Sequence, residues 1–178
     1  MLKSILKYGV IAGLIVGIPM FGLTIATKDH APTAWGMAIG YLTMLIAFTT
    51  IFLAIKRKRD IEQGGVIRFW PAAGLGLGIS VVASIIYVLF WEAALATTSM
   101  DFIGVYTETL IQEQLAKGAS AEAIAALKTE MLQFATDYAN PLYRMPLTFT
   151  EIFPIGVLVT LVSAGLLRNS RFLPVQRV

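Results

Sequence analysis

Residues 69–91 read FWPAAGLGLGISVVASIIYVLFW and contain no Asp, Glu, Lys, Arg or His. A helix needs about 20 mostly apolar residues to cross the hydrocarbon core of a bilayer, which is roughly 30 Å thick. This stretch is therefore long enough and apolar enough to span a membrane. Trp70 and Trp91 stand at its two ends, where interfacial aromatic residues are typical of a membrane span.

Three further stretches of the chain have the same character. Together with the first they predict four membrane-spanning helices, at about 8–27, 33–55, 69–92 and 148–167. The chain is 57% hydrophobic and only 14% charged, whereas soluble domains carry near a quarter charged residues. We expect one all-α membrane domain over residues 1–178, a polytopic four-transmembrane-helix bundle.

The segment between the third and fourth spans is rich in Ala, Glu and Gln and predicts an amphipathic helical hairpin at about 100–138. Thr98 and Asp101 have the spacing of a capping box that opens its first helix. Gly118 fits the end of that helix, and Ser120 fits the start of the second. An apolar stripe that needs a partner surface runs along the second helix, through Ile124, Leu127, Met131, Phe134 and Tyr138.

The Lys and Arg residues predict the orientation of the bundle. With the N-terminus inside, ten of them lie on the inner side and four on the outer, and cytoplasmic loops carry such an excess. The 98–148 loop carries three basic and six acidic residues. We expect a bacterial inner (cytoplasmic) membrane protein with N- and C-termini cytoplasmic and the 98–148 loop periplasmic. The inner set is Lys3, Lys7, Lys56, Arg57, Lys58, Arg59, Arg68, Arg168, Arg171 and Arg177; the outer set is Lys28, Lys117, Lys128 and Arg144.

An alternative interpretation takes the N-terminus as a cleaved signal peptide, because Lys3 and Lys7 precede an apolar run and residues 24–26 resemble a cleavage site. The run exceeds the usual core of about 7 to 15 residues. Cleavage would also leave three spans and put the basic 56–59 loop on the outer side, so we favour four spans.

Glycines mark the faces on which we expect helices to pack. Gly9, Gly13 and Gly17 repeat every four residues along the first span, where a neighbouring backbone can approach closely. Gly74 and Gly78 are expected to pack the third span in the same way. The glycines of the third span also look like a phosphate-binding loop, but the preceding strand and the Lys-Ser/Thr pair are missing.

Several polar residues gather at the predicted outer membrane edge. Glu92 ends the third span, Glu151 begins the fourth, and Tyr143 and Arg144 precede it. Carboxylates at membrane depth are costly and mark candidate sites, and two of them beside a guanidinium could bind a cation, pass a proton or grip a polar headgroup. The structural alternative is that residues 148–151, Thr-Phe-Thr-Glu, form a capping box in which Glu151 caps the fourth helix.

The chain lacks the residues of the common catalytic and metal sites. It has no cysteine and one histidine, His30, which we expect to be a solvated residue of the short outer loop. Neither Gly-x-Ser-x-Gly nor His-Glu-x-x-His occurs. We expect no enzyme activity, no cofactor and no metal. The basic run at 56–59 is explained by membrane topology, so no nucleic-acid partner is expected.

Four runs of sequence carry a family resemblance across nearly the whole chain. They read LKYGVIAGLIVG at 6–17, GYLTMLIAFTTIFLAIKRKRD at 40–60, GGVIRFWPAAGLGLGIS at 64–80 and TEIFPIGVLVTLVSAGLLRN at 150–169. Together they resemble the bacterial membrane-protein family called domain of unknown function 4199. The resemblance implies a small four-span inner-membrane protein. That family has no assigned activity, so it implies no site residues.

The expected function is that of a non-enzymatic structural, accessory or interaction protein. Membrane lipids would surround it, and a second copy or another envelope protein would bind through the 100–138 hairpin or through the glycine face of the first span. The alternative is a small oligomeric transporter or lipid-handling protein that uses Glu92, Glu151 and Arg144 at the outer membrane edge.

Overall fold

The computed structural model describes residues 1–27, 34–98 and 101–174. Within these ranges the chain forms six α-helices and one π-helical turn, and contains no strand. The predicted outer loop with His30, the start of the second span at 33 and the start of the hairpin at 100 lie outside them. The elements are α1 (Leu2–Ala26), α2 (Ala34–Arg57), the π-helical turn (Lys58–Glu62), α3 (Phe69–Thr98), α4 (Phe102–Ala116), α5 (Ala121–Tyr138) and α6 (Pro141–Leu167).

Four helical stretches are long and apolar enough to cross a membrane, which confirms the all-helical prediction with four such helices. They are Leu2–Ala26, Ala38–Glu62, Phe69–Thr98 and Pro141–Leu167. The first begins before residue 8 and the third continues past residue 92. The predicted spans stop near charged residues, whereas a helix continues as long as its backbone hydrogen bonds do.

The start of the fourth helix differs from the expectation. Residue 148 lies inside α6, which begins at Pro141. The Asn140 side chain accepts a hydrogen bond from the backbone N–H of Leu142 at 3.0 Å and caps the helix. Proline fits the first turn because its missing N–H would have no helical partner there. The expectation that Glu151 caps this helix is therefore wrong.

The three glycines of α1 face α3 at close range. A Cβ built on Gly9, Gly13 or Gly17 would lie 2.6, 2.6 or 2.4 Å from the nearest side-chain atom of α3. No real Cβ tolerates such distances, so only glycine permits this approach of the two helices. The residue numbers of the partners increase in the same order as those of the glycines, from Val82 through Ile86 to Phe90. Helices α1 and α3 therefore run parallel.

On its other side α3 packs against α6 and α2. A Cβ on Gly76 would lie 2.6 Å from Cγ2 of Thr160, and one on Gly156 would lie 2.6 Å from Oγ of Ser80. From the first pair to the second, the residue number increases along α3 and decreases along α6, so the two helices are antiparallel. Gly78 meets Ile5 of α1.

Gly74 does not have the packing role expected of it. A Cβ built on Gly74 has no atom within 4 Å. Gly74 and Gly78 share one helix face, but Gly78 already meets Ile5 near the start of α1 at Leu2, so α1 does not extend as far as Gly74. Gly76, on a different face of the third span, does pack closely, and the buried Gly156 of α6 is a packing glycine that was not predicted.

The contrast between Gly76 and Gly74 gives a matched test of the packing. We expect Gly76→Ala to lower the free energy of unfolding by about 1–3 kcal/mol, because the new methyl group overlaps Thr160. Gly74→Ala should be neutral or stabilising, by up to about 1 kcal/mol, because its methyl group meets nothing and alanine favours the helix. Unfolding by sodium dodecyl sulfate in mixed micelles measures both. Equal effects would contradict the assignment.

Helices α4 and α5 form a hairpin between α3 and α6. The Asp101 side chain accepts from the Gly104 N–H at 2.8 Å and caps α4. Thr98 therefore does not open α4; it is the last residue of α3. Gly118 has φ +78° just past the end of α4, and the side chain of Ser120 caps α5, as predicted.

The apolar stripe of α5 is covered by residues of this same chain. Met131 and Tyr138 are buried against Ile103 of α4, and Leu95 near the end of α3 packs on the same cluster. The hairpin therefore has its own small core. The end of the bundle where α3 ends and α6 begins is called the hairpin end below; the opposite end, which holds the π-helical turn, is called the basic end.

Candidate functional site

A two-point ion pair joins α3 and α6 at the hairpin end. Nε of Arg144 donates to Oε1 of Glu92 at 2.7 Å, and NH2 donates to Oε2 at 2.5 Å. The side chain of Arg144 is only 13% exposed and that of Glu92 only 19%. Such a planar fork-to-carboxylate pair is stronger and more specific in geometry than a surface ion pair.

The same guanidinium also holds the end of the hairpin. NH1 of Arg144 donates to the backbone carbonyl of Tyr138, the last residue of α5, at 3.0 Å. The guanidinium carbon lies 5.6 Å from the centre of the Tyr138 ring. All three nitrogens of Arg144 are thus engaged, two with the bundle and one with the hairpin.

Aromatic side chains complete this junction. Nε1 of Trp91 donates to the hydroxyl of Tyr138 at 2.8 Å, and the Trp91 ring meets that of Phe102 edge-on with centres 5.1 Å apart. Burial raises the pKa of the Tyr138 phenol above its usual value of 10, so the hydroxyl stays neutral at physiological pH. We call Trp91, Glu92, Tyr138 and Arg144 the junction cluster.

Two of the predicted site residues lie apart from this cluster. Glu151 lies on the exposed face of α6, seven residues past Arg144 and thus about 10 Å further along the helix. It is near enough to the Tyr138 hydroxyl to act on it electrostatically, but it forms no hydrogen bond or ion pair with the described residues of the cluster. Tyr143 is 45% exposed, and its ring packs edge-on against Phe134 of α5. The expected group of four residues therefore separates into the Glu92–Arg144 pair and two outlying side chains.

The model of the family described as protein of unknown function (DUF4199) matches residues 7–169. The chain belongs to this family. Except for Leu6, the match covers the four runs that carried the resemblance. Neither the curated proteins nor the solved structures contain a match.

A second buried guanidinium occurs at the basic end of this DUF4199 protein. Arg59 has 0% exposure, and its Nε donates to Oδ1 of Asp60 at 2.6 Å. Its NH1 and NH2 donate to the backbone carbonyls of Phe172 and Leu173 at 2.8 and 2.6 Å. Arg59 thereby ties the segment after α6 to the end of α2. In the sequence it is one of four adjacent basic residues, and no local signal separates it from the other three.

These groups of the DUF4199 protein hold structure together more readily than they bind a ligand. Both oxygens of Glu92 accept from Arg144, so neither is free of a strong donor. Within the described ranges no three Asp, Glu, His or Cys side chains come together as a metal site. A cleft of about 260 Å³ is lined by apolar and aromatic side chains together with the charged side chains of Asp101 and Arg144. The junction cluster fixes one element to another.

Proposed function

We propose that this protein is a non-enzymatic component of a membrane assembly that presents its α4–α5 hairpin to another protein of the bacterial envelope. The bundle would lie in the cytoplasmic membrane with both termini in the cytoplasm and the hairpin in the periplasm. Ten basic residues on the inner side against four on the outer support this orientation. Membrane lipids would cover the apolar outer faces of the four long helices.

The junction cluster is the observation that carries the proposal. A hairpin that merely linked two spans would need no fixed attachment, because a flexible connection satisfies topology. Here one arginine binds a carboxylate of α3 and the last carbonyl of α5, and Trp91 binds Tyr138. Fixing the hairpin in this way lowers the entropy that a partner would otherwise have to remove on binding.

Two surfaces that the sequence offered for assembly are already used within the chain. The glycine face of α1 packs on α3, and the apolar stripe of α5 packs on α4 and on Leu95. The surface left for a partner is the polar outer face of α5, which includes Glu130, Gln133 and Asp137. It belongs to a loop with six acidic and three basic residues, which favours a basic partner surface.

Single cysteines test this proposal, since the chain contains none of its own. In intact cells a membrane-impermeant maleimide should label Ser120→Cys, whereas Gln63→Cys, at an exposed position of the basic end, should be labelled only after permeabilisation. The reverse pattern would contradict the proposed orientation.

Crosslinking from the hairpin then tests assembly. A photoreactive maleimide on Gln133→Cys should give one discrete heavier species in native membranes, and the same reagent on Thr27→Cys, at the end of α1, should give none. Recovery of monomer alone from Gln133→Cys would count against assembly through the hairpin.

The alternative, an oligomeric transporter or lipid-handling protein, would now rest on Glu151, since Glu92 and Arg144 are engaged with each other. If uptake or lipid transfer depended on Glu151 while complex formation did not, this alternative would be preferred.

A further inference from the structure

The exposed face of α6 carries a carboxylate on a helix that is apolar enough to cross a membrane. Glu151 is exposed, as are Pro154, Leu158 and Leu161 on the same face. Along α6 it lies between Arg144, at the Trp91–Glu92 level, and Gly156, which packs on Ser80. If Trp91 lies at the membrane interface, Glu151 lies about 10 Å deeper, in the hydrocarbon core.

A carboxylate at that depth rarely faces lipid. Ionisable residues within spans almost always face a protein interior or a water-filled cavity, because exposure to hydrocarbon is costly. In this chain the Glu151 side chain is exposed on the helix surface, near the Tyr87 and Tyr138 hydroxyls, and among the described residues no side chain forms a hydrogen bond or ion pair with it. The outward position therefore indicates that another helix covers this face of α6.

The backbone beside Glu151 adds a second acceptor. Pro154 has no N–H, so the helix cannot supply the usual donor to the carbonyl of Thr150, four residues earlier. In a membrane such freed carbonyls are satisfied by neighbouring helices or polar side chains. This part of α6 presents two acceptors, and a partner must bring donors to both.

The protein satisfies the same set of acceptors twice elsewhere, each time with arginine. Arg144 binds the Glu92 carboxylate and the Tyr138 carbonyl, and Arg59 binds the Asp60 carboxylate and two carbonyls. A guanidinium suits this set because its donors are fixed in a plane and point in several directions. At Glu151 the acceptors are present, and no arginine within residues 1–27, 34–98 and 101–174 reaches them.

A second copy of the chain cannot supply that arginine at the same depth. Among the described residues of the four long helices, Arg144 is the only basic residue toward the hairpin end, and it is engaged with Glu92. The other basic residues of these helices, Lys3, Lys7, Lys56, Arg57, Lys58 and Arg59, lie toward the basic end.

From these observations we infer that the Glu151 face of α6 binds a transmembrane helix of a different protein that carries an arginine at the depth of Glu151. The inference rests on the proposed role in assembly and adds to it a contact inside the membrane. The Glu151 carboxylate and the Thr150 carbonyl receive the guanidinium, and Leu158 and Leu161 pack along the same helix.

Synthetic transmembrane helices test this pairing in lipid vesicles. The probes are Leu/Ala peptides with one Arg, Glu or Leu about 10 Å from one end of the apolar stretch. Energy transfer is measured from a dye on the peptide to a dye on Ser170→Cys of the full chain. The Arg peptide should bind about tenfold better than the Leu peptide, as expected for a charge-assisted hydrogen bond in a low-dielectric medium.

Three variants of the full chain test whether the preference for the Arg peptide depends on the Glu151 carboxylate. Glu151→Gln should abolish the preference for the Arg peptide, and Glu151→Arg should transfer it to the Glu peptide. Glu122→Gln, which removes an exposed carboxylate of the hairpin, should leave the preference intact. The exchange of preference in Glu151→Arg cannot arise from misfolding.

Two outcomes would overturn the inference. The first is equal binding of the Arg and Leu peptides by the wild-type chain. The second is energy transfer between labelled copies that depends on Glu151, which would show that a second copy covers this face. Hairpin crosslinks from Gln133→Cys that persist in either case would leave the proposed function standing. A preference for the Arg peptide without hairpin crosslinks would keep the α6 site and remove the hairpin role.

Discussion

Arg144→Leu is expected to release the hairpin from the bundle and to lower the free energy of unfolding by about 3 kcal/mol. The variant removes the donor to the Glu92 carboxylate, whose side chain is only 19% exposed to solvent. Removing one partner of a largely buried ion pair costs about 3–5 kcal/mol when the remaining charge stays buried. Because the Glu92 side chain is still partly exposed to solvent, we expect a loss of stability at the lower end of this range.

The release of the hairpin is measurable separately from stability. Spin labels on Ser120→Cys and Thr27→Cys report the distance from the hairpin turn to the end of α1. We expect a narrow distance distribution in the parent chain and a broad one in Arg144→Leu. Arg68→Leu, which removes an exposed arginine at the basic end, serves as the control and should change neither quantity.

A double substitution distinguishes the ion pair from general damage. In Glu92→Leu with Arg144→Leu no charge is left unpaired, so much of the lost stability should return. The hairpin should remain mobile, because the hydrogen bond from Arg144 to the Tyr138 carbonyl is still missing. A double variant less stable than either single variant would show that the two side chains act independently.

The number of apolar helices could be read from the sequence because hydrocarbon imposes a simple requirement. About 20 residues without charge are needed to cross it, and the run at 69–91 satisfies this without any knowledge of neighbours. Helix ends follow a different rule. Asn140 and Pro141 begin α6 although the predicted fourth span starts only at about 148, and the helix starts there despite Arg144 in its first turns.

The sequence predicted one part of the candidate site, the proximity of Glu92 and Arg144, but not the position of Glu151. Proximity to the same membrane edge brought Glu92 and Arg144 to attention, and they do pair. Depth along the helix was the missing factor for Glu151. Once α6 is known to begin at Pro141, seven residues separate Arg144 from Glu151, about two turns, which is too far for both to reach Glu92.

Arg59 shows what sequence patterns alone do not contain. The run at 56–59 predicts an inner membrane edge, and any of its four residues satisfies that rule equally. Burial of Arg59 depends on the segment after α6, more than 100 residues away, whose carbonyls face the end of α2. Long-range contacts of this kind leave no local periodicity to detect.

Arg59→Met is expected to lower the free energy of unfolding by about 3–5 kcal/mol and to free the segment after α6. Methionine has a similar length but no donor, so the carbonyls of Phe172 and Leu173 lose their partners in a partly buried site. Each unsatisfied buried acceptor costs about 1–3 kcal/mol. Lys56 still contacts Asp60 at 2.5 Å, which limits the additional loss from that carboxylate.

Trypsin reports the release directly, because Arg171 lies in the segment that Arg59 holds. Cleavage after Arg171 in detergent micelles should become at least about tenfold faster in Arg59→Met. The free energy that favours the attached state of the segment over the detached state falls by several kcal/mol. Arg57→Met, an exposed neighbour in the same basic run, is the matched control and should leave the rate unchanged. If both variants behave alike, the two hydrogen bonds from Arg59 to the segment do not hold it, and packing of Phe172 on Phe52 is the stronger contact.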